Sequence, residues 1–583
     1  MSEDDFVHVA LPIRTHEQHC MSIVENPSRK NGVRVQLHPL PDQNSMLVSI
    51  SPPQEPEQYN SQELEQDNSH ESVDIVVVWD ASSSMEERAP LHTAEPGEQV
   101  ETELTAFDLS KHGTRTMIST LNEKDRLGIV IFAKYAEVVY ELSYMNEKNK
   151  KEALEVVERL QTRRLTNLWD GLKLGFDMLG KAEPIPQNAQ ALYVLTDGAP
   201  SYGCPEERYV ENLRPILQKM KAPQPLIHTF GLGRYVNSGL LQSIAEVGAG
   251  RYAFIPDSGM IGTVFNHAVA NHFTTFATHA KVTLLCSDSV ELTQDEGSKT
   301  GIELVEVENK GKDLTMTIGT LQYGQSRDII VRVKGAIGPN TTIQPSLTYY
   351  SWGTSTSIIS DETLLSQAQT LPAHVCSFHE FRALICKFLR RLYTKESDFG
   401  YTRLERHYNR RAEFDNIIKE MEEAGYTDEA NARLLRDLAG PKPGGHVALA
   451  LSKENFYRWG RHYLLSYLNG HTHQVCNSFE DPGPPGHGEK ESYFNRCRSE
   501  LHECFDTLPT HKPVRIKKRA HDGSITISET HSMASYNERS TTIWNSTLIN
   551  QTPPAKRRCV HWEPTSGDKI TDSGRELDAP GRS

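Results

Sequence analysis

Residues 73–79 read Val-Asp-Ile-Val-Val-Val-Trp, a mostly apolar, β-branched run. Such a run is the signature of a strand buried on both faces, as in a parallel sheet. It ends in Asp80-Ala81-Ser82-Ser83-Ser84. One carboxylate and a cluster of hydroxyls therefore follow the C-terminal end of the strand, which is where ligands bind in an open α/β sheet. Asp80 with the alternating hydroxyls of Ser82 and Ser84 supplies hard oxygen donors. Those suit Mg²⁺, Mn²⁺ or Ca²⁺ better than zinc.

The residues that follow repeat the theme. Buried strands are expected at 126–133, 136–142, 191–196, 226–231 and 251–255. Amphipathic helices are expected at 104–121, 154–160, 168–179, 240–247 and 260–275. The acidic, proline-containing stretch 86–103 reads as a mobile loop. Alternation of strands and helices predicts a doubly wound, mostly parallel α/β sheet over 73–277.

The flanks differ. Residues 33–50 hold two alternating runs around a Pro/Asp/Asn turn, a β-hairpin. Residues 51–72 are rich in Pro, Glu, Gln and Ser and read as a linker. Short strands with turn residues between them fill 278–358, an antiparallel β-sandwich. An isolated hairpin is marginal in water, so 33–50 is expected to complete that sandwich, with the α/β domain inserted in it. Helical periodicity runs through 372–508. Residues 1–32 are expected to be flexible, and the polar tail 509–583 disordered.

With 583 residues the chain exceeds a single core. Its net charge of −15 argues against a dedicated nucleic-acid binder. No apolar run reaches the roughly 20 residues of a membrane helix, and Met1-Ser-Glu-Asp-Asp has no apolar core of a signal peptide. Nine cysteines without a Cys-x-x-Cys pair fit reduced thiols inside a cell. His471, His473 and Cys476 lack a fourth zinc ligand at a defined spacing. Basic clusters at 515–519 and 554–558 add nuclear import as an alternative to a cytoplasmic location.

Two more loops bear on the first. Thr166 precedes the helix expected at 168–179, and Asp197 ends the strand at 191–196. Both loops can fall on the sheet edge that carries Asp80, Ser82 and Ser84. Two carboxylates and three hydroxyls only just balance a divalent ion. Mg²⁺ held this way keeps waters and stays receptive to a further anion, such as an acidic residue of a protein partner. No competing catalytic constellation is visible, so an interaction protein is expected rather than an enzyme.

These residues resemble a known family. Asp80-x-Ser82-x-Ser84, Thr166 and Asp197 are similar to the metal-ion-dependent adhesion site of von Willebrand factor type A (VWA) domains. The surrounding Thr166-Asn-Leu-Trp169, Leu195-Thr-Asp-Gly198 and Ile227-His-Thr-Phe-Gly231 match as well. The resemblance implies that Ser82, Ser84 and Thr166 hold the metal through hydroxyls, and that Asp80 and Asp197 bind it directly or through water. Ser83 stands where many such domains have glycine, and Trp79 where they have a smaller residue. Further on, Leu321-Gln-Tyr-Gly-Gln-Ser-Arg-Asp328, Trp459-Gly-Arg-His-Tyr463 and Cys476-Asn-Ser-Phe-Glu-Asp-Pro482 resemble the VWA/Hedgehog-intein-like associated (Vwaint) region of fungal and protist proteins. Neither a Hint nucleophile motif nor a U-box is visible. Relatives leave two alternatives to a metal-dependent scaffold: an adaptor in a ubiquitin-pathway or AAA-type chelatase-like complex, or a structural protein with a vestigial site.

Overall fold

The computed structural model describes residues 23–24, 32–41, 44–56, 70, 72–88, 99–102, 104–183, 185, 188–205, 208–233, 235–255, 261–286, 290–298, 306–308, 312–335, 340–351, 354–360, 363–393, 407–440, 445–477, 492–510, 514–519 and 525–530. The expectations for most of 1–32, for 57–69 of the linker, for the Pro/Gly-rich stretch 481–488 and for the basic cluster 554–558 lie outside these residues.

The strand Val73–Asp80 is central in a six-stranded sheet. Across the sheet the order is Tyr252–Ile255, Leu226–Leu232, Ala189–Thr196, Val73–Asp80, Arg126–Phe132 and Ala136–Tyr144. All neighbours pair parallel except the last two strands, which pair antiparallel. Helices Ala106–Thr120, Leu168–Lys181, Ser238–Val247 and Ile261–Phe273 belong to this domain. Ile75, Val76, Val77 and Val78 are fully buried, each contributing about 1.5–3 kcal/mol over an exposed position. Asp74, the one charge inside the run, is held at the opposite end from Asp80. Arg126 grips it with Nε at 2.8 Å from Oδ1 and Nη2 at 2.5 Å from Oδ2, and Asn188 adds a donor at 2.8 Å.

The hairpin Arg34–Pro39 and Ser45–Ser51 pairs with Arg327–Lys334 in a four-stranded antiparallel sheet. A second sheet is built on Thr275–Cys286, Asp313–Gln322, Thr342–Ser351 and Thr354–Ile359. Val48 and Val331 from the first sheet share one core with Val282, Met316 and Leu347 from the second.

Helices Ala373–Leu392, His407–Ala424, Glu429–Ala439, Arg461–His473 and Tyr493–Thr507 follow. The helix Arg461–His473 docks on the edge strand of the α/β sheet. Ser466 Oγ accepts from the Phe254 backbone N–H at 3.1 Å, and Asn477 Nδ2 donates to the Tyr252 carbonyl at 3.2 Å. An open strand edge is thereby covered. The Trp459-Gly-Arg-His462 motif serves packing here. A Cβ on Gly460 would stand 2.1 Å from the Ala450 carbonyl oxygen, and His462 Nδ1 lies 2.8 Å from Ser238 Oγ.

Two expectations need correction. One further helix, Tyr209–Lys219, lies between the expected strands, with Pro215 inside it. The stretches 86–103 and 509–583, expected as mobile loop and disordered tail, contain strands: Val514–Arg519 pairs antiparallel with both Ile525–Thr530 and Gln99–Thr102. Val514 and Ile516 alternate with Arg515 and Lys517, a pattern too short to stand out in a polar, Ser/Thr-rich stretch poor in apolar residues.

Candidate metal centre

Parallel pairing brings the exits of neighbouring strands side by side. Trp79 is in register with Leu195, so Asp80 and the Thr196–Asp197 exit are neighbours. After Asp80 the chain enters a 3-10 turn, Ser83–Glu86, preceded by Ser82 at φ −67°. Ser83 is not among the positive-φ residues of the described chain, so no glycine is needed there. Trp79 is fully buried, with its ring centroid 5.2 Å from that of Phe107. The helix Ala106–Thr120 therefore fills the space of the larger side chain.

Four of the five predicted residues meet directly. Ser84 Oγ donates to Asp197 Oδ1 at 2.8 Å, and Ser82 Oγ lies 2.9 Å from Ser84 Oγ. Ser84 has one proton to give, so Ser82 donates to Ser84. Asp80 Oδ1 accepts the Ser82 backbone N–H at 2.8 Å, and its Oδ2 accepts the Thr196 hydroxyl at 2.5 Å. Asp80 is fully buried and Ser82 nearly so.

Thr166 joins through backbone. The Arg163 N–H donates to the Ala81 carbonyl at 2.6 Å, next to a bridge between Ser82 and Arg163. The Thr166 carbonyl accepts the N–H groups of Ser201 and Tyr202 at 3.0 and 3.2 Å, and its own N–H donates to Ser201 Oγ at 3.1 Å. Among the described residues, no hydrogen bond ties the Thr166 side chain to the other four. Leu165 just before it has φ +69°, a left-handed conformation that costs a branched side chain energy. Asn167 just after it caps the helix Leu168–Lys181, accepting the Asp170 N–H, and donates to the Lys134 carbonyl at 3.2 Å. Gly203, at φ +66°, lies so close that a Cβ would be 2.4 Å from the Asn167 amide.

Burial pushes the Asp80 carboxyl up to about 6. Burial, and next the charge of Asp80, push Asp197 up to about 7. Two carboxylates that resist ionising together are poised for a cation. The spacing fits one too. Ligand oxygens at about 2.0–2.1 Å from Mg²⁺ in an octahedron stand about 2.9 Å apart along its edges, and the Ser82–Ser84–Asp197 oxygens are spaced at 2.9 and 2.8 Å. The donor set, all oxygen with two carboxylates, matches a hard divalent ion. Sequence reasoning missed Thr196 and Ser201. Thr196 lies within the Leu-Thr-Asp-Gly text around Asp197, but its function is to hold Asp80, which only the register reveals.

Comparison with known proteins agrees on the fold. Residues 74–267 match the von Willebrand factor type A domain, and residues 428–503 match the "VWA / Hh protein intein-like" family. The uncharacterized protein sll0103 of Synechocystis is 28% identical over 139 residues, covering 24% of this chain and 31% of that protein. Inter-alpha-trypsin inhibitor heavy chain H3 of Rattus norvegicus is 29% identical over 135 residues, 22% of this chain and 15% of that protein. This chain thus spans less than a third of the length of these curated relatives. Among solved structures, a von Willebrand factor type A protein from Catenulispora acidiphila superposes with TM-score 0.45 at 17% identity, covering 70% of this chain and 87% of that one.

Proposed function

We propose that this chain, which carries a von Willebrand factor type A domain and behind it a VWA/Hh intein-like region, is an interaction protein whose sheet-edge oxygens hold a divalent cation that takes a carboxylate of a protein partner. The carrying observation is the convergence of Ser82, Ser84 and Asp197 on one another at 2.8–2.9 Å, with Asp80 beneath them. Ser82, Ser84 and Asp197 would hold the ion, with Asp80 and Thr166 beside them. When bound, the ion supplies a positive centre with exchangeable positions for an incoming acid. On this reading the chain binds rather than catalyses.

The rim supports a protein partner. Tyr135 and Tyr202 are 63% and 41% exposed, and Leu165 is 41% exposed. Lys134 Nζ sits 5.2 Å from the Tyr135 ring centroid and 5.9 Å from that of Tyr202, so these two aromatics stand together beside the Thr166 loop. Tyrosine-rich surface around a polar centre is the composition of a binding hot spot. No helix among the described residues is long and apolar enough to cross a membrane.

The test is titration calorimetry with Mg²⁺ and Mn²⁺ on wild type and Asp197→Ala, followed by partner capture with and without EDTA. Heat in the wild type alone, and a partner lost with EDTA, are expected. A silent wild type or an EDTA-indifferent partner set overturns the reading.

A further inference from the structure

At the start of the edge strand, three strands across the sheet from Val73–Asp80, three arginines are buried where the α/β domain, the sandwich and the helical region meet. Arg251 immediately precedes the strand Tyr252–Ile255, Arg327 opens the strand Arg327–Lys334, and Arg382 lies within the helix Ala373–Leu392. They are 8%, 1% and 7% exposed. Thr320 joins the first two: its hydroxyl accepts from Arg251 Nη2 and its carbonyl from Arg327 Nη2 at 2.9 Å. The end of the Arg461–His473 helix joins the second and third. The Gln474 carbonyl accepts from Arg327 Nη1 at 3.4 Å, and the His471 carbonyl from Arg382 Nη1 at 3.0 Å.

Every acceptor in this set is a neutral oxygen. Among the described residues, no carboxylate lies within ion-pair distance of Arg251, Arg327 or Arg382. Asp328, the buried acid beside Arg327, directs its carboxylate to Ser49 and Ser326 at 2.5 and 2.7 Å. A guanidinium keeps its proton inside a protein, and a buried charge without a partner is strongly destabilising. Donors are also left over. Arg327 Nε, Arg382 Nε, His228 Nε2 and His473 Nε2 are buried without a hydrogen-bond partner. His228 and His473 both lie within electrostatic reach of Arg251, and His473 also of Arg327. Burial first, then His272 and Arg251 for His228 and the arginines for His473, hold both imidazoles neutral, so each keeps one N–H to donate.

We propose that this junction binds a buried oxyanion of the phosphate type, held by Arg251, Arg327 and His473, as a structural ligand that ties the three regions together. The charge count selects the class. The guanidinium groups of Arg251, Arg327, Arg382 and Arg390, which also reaches His473, less the carboxylates of Asp328 and Glu246 beside them leave two positive charges, which a phosphate dianion balances. The forked donors of arginine match phosphate oxygens, and the unpartnered N–H groups receive acceptors. This site is independent of the cation at the oxygen cluster.

The test uses the full chain purified in phosphate- and sulfate-free buffer, then acid-precipitated. Ion chromatography of the supernatant before and after phosphatase treatment separates inorganic phosphate from a phosphate ester. About one equivalent of either is expected per chain, lost in Arg327→Met and Arg251→Met and retained in the surface variant Lys419→Ala. The wild-type measurement decides the matter even where an arginine variant does not fold. A folded wild-type chain that releases no phosphate, free or esterified, overturns the proposal.

Discussion

Ser84 Oγ lies 2.8 Å from Asp197 Oδ1, a contact between residues 113 positions apart. Adjacent parallel strands end at the same edge, so the exit of one strand meets the exit of the next without any long loop. The contact exists because Val73–Asp80 and Ala189–Thr196 are neighbours in register. Thr196 then orients Asp80 from beneath. Replacing Thr196 by valine keeps the shape and removes that hydroxyl. Mn²⁺ affinity is expected to fall by about 10–100-fold, the usual cost of losing an outer partner of a metal site, with little change in unfolding temperature. Calorimetry on Thr196→Val beside wild type measures it; unchanged affinity would separate Asp80 from cation binding.

At Gly460 the helical region packs tightly against its own backbone. An added Cβ would press on the Ala450 carbonyl, which belongs to backbone and cannot rotate away. Gly460→Ala is therefore expected to destabilise the chain by about 1–3 kcal/mol, as overpacking does, while cation affinity stays at the wild-type level. Urea unfolding and calorimetry on one preparation read both quantities. A loss of cation affinity without loss of stability would give the Trp459-Gly-Arg-His462 motif a binding function instead of a packing one.

Physical range explains what could be read from sequence. Asp80, Ser82 and Ser84 lie within five residues at a strand end, and local pattern suffices for them. Thr166 and Asp197 sit at the boundaries of periodic elements, so they could be placed on the same edge. Thr196 is next to Asp197, yet nothing local says that its hydroxyl turns back to Asp80. The pairing of Val514–Arg519 with Gln99–Thr102 spans over four hundred residues and joins two stretches that composition reads as unstructured. The arginine junction is legible least of all. Arg251, Arg327 and Arg382 each look like surface charge in their own segments, and only the docking of three regions buries them.

Acid should unfold this chain early. Burial, its largest cause, lowers His272 and His379 to about 4 and His471 to about 3, from an ordinary value of 6.5. Between pH 6.5 and 4 the unfolded chain takes up protons there that the folded chain refuses. The stability present above pH 6.5 is thus lost as pH falls toward 4, by on the order of 3 kcal/mol for each such histidine. Asp80 and Asp197, raised to about 6 and 7, oppose this, because the folded chain takes up their protons first. Burial lowers four more histidines, His228, His279, His473 and His502, so the histidines outweigh the pair against a typical total of about 5–15 kcal/mol. Cooperative loss of near-ultraviolet circular dichroism is expected before pH 4, and His272→Gln should move the midpoint to lower pH. A midpoint that His272→Gln leaves in place would assign the acid transition to other groups.

The aromatic rim gives the last distinction, between holding a cation and recognising a partner. Tyr135 and Tyr202 share the Lys134 ammonium over their rings and donate no ligand to the oxygen cluster. Each offers a large, half-rigid apolar face at low entropic cost, the kind of side chain whose loss commonly costs about 1–4 kcal/mol at an interface. Tyr135→Ala and Tyr202→Ala are expected to leave Mn²⁺ affinity unchanged and to weaken capture of the EDTA-sensitive partner tenfold or more. Asp197→Ala should abolish both. The discriminating measurement is the pair of calorimetry and quantitative capture on all three variants. If the tyrosine variants capture the partner as well as wild type does, the partner's contact is confined to the cation and its oxygens, and the rim has no part in recognition.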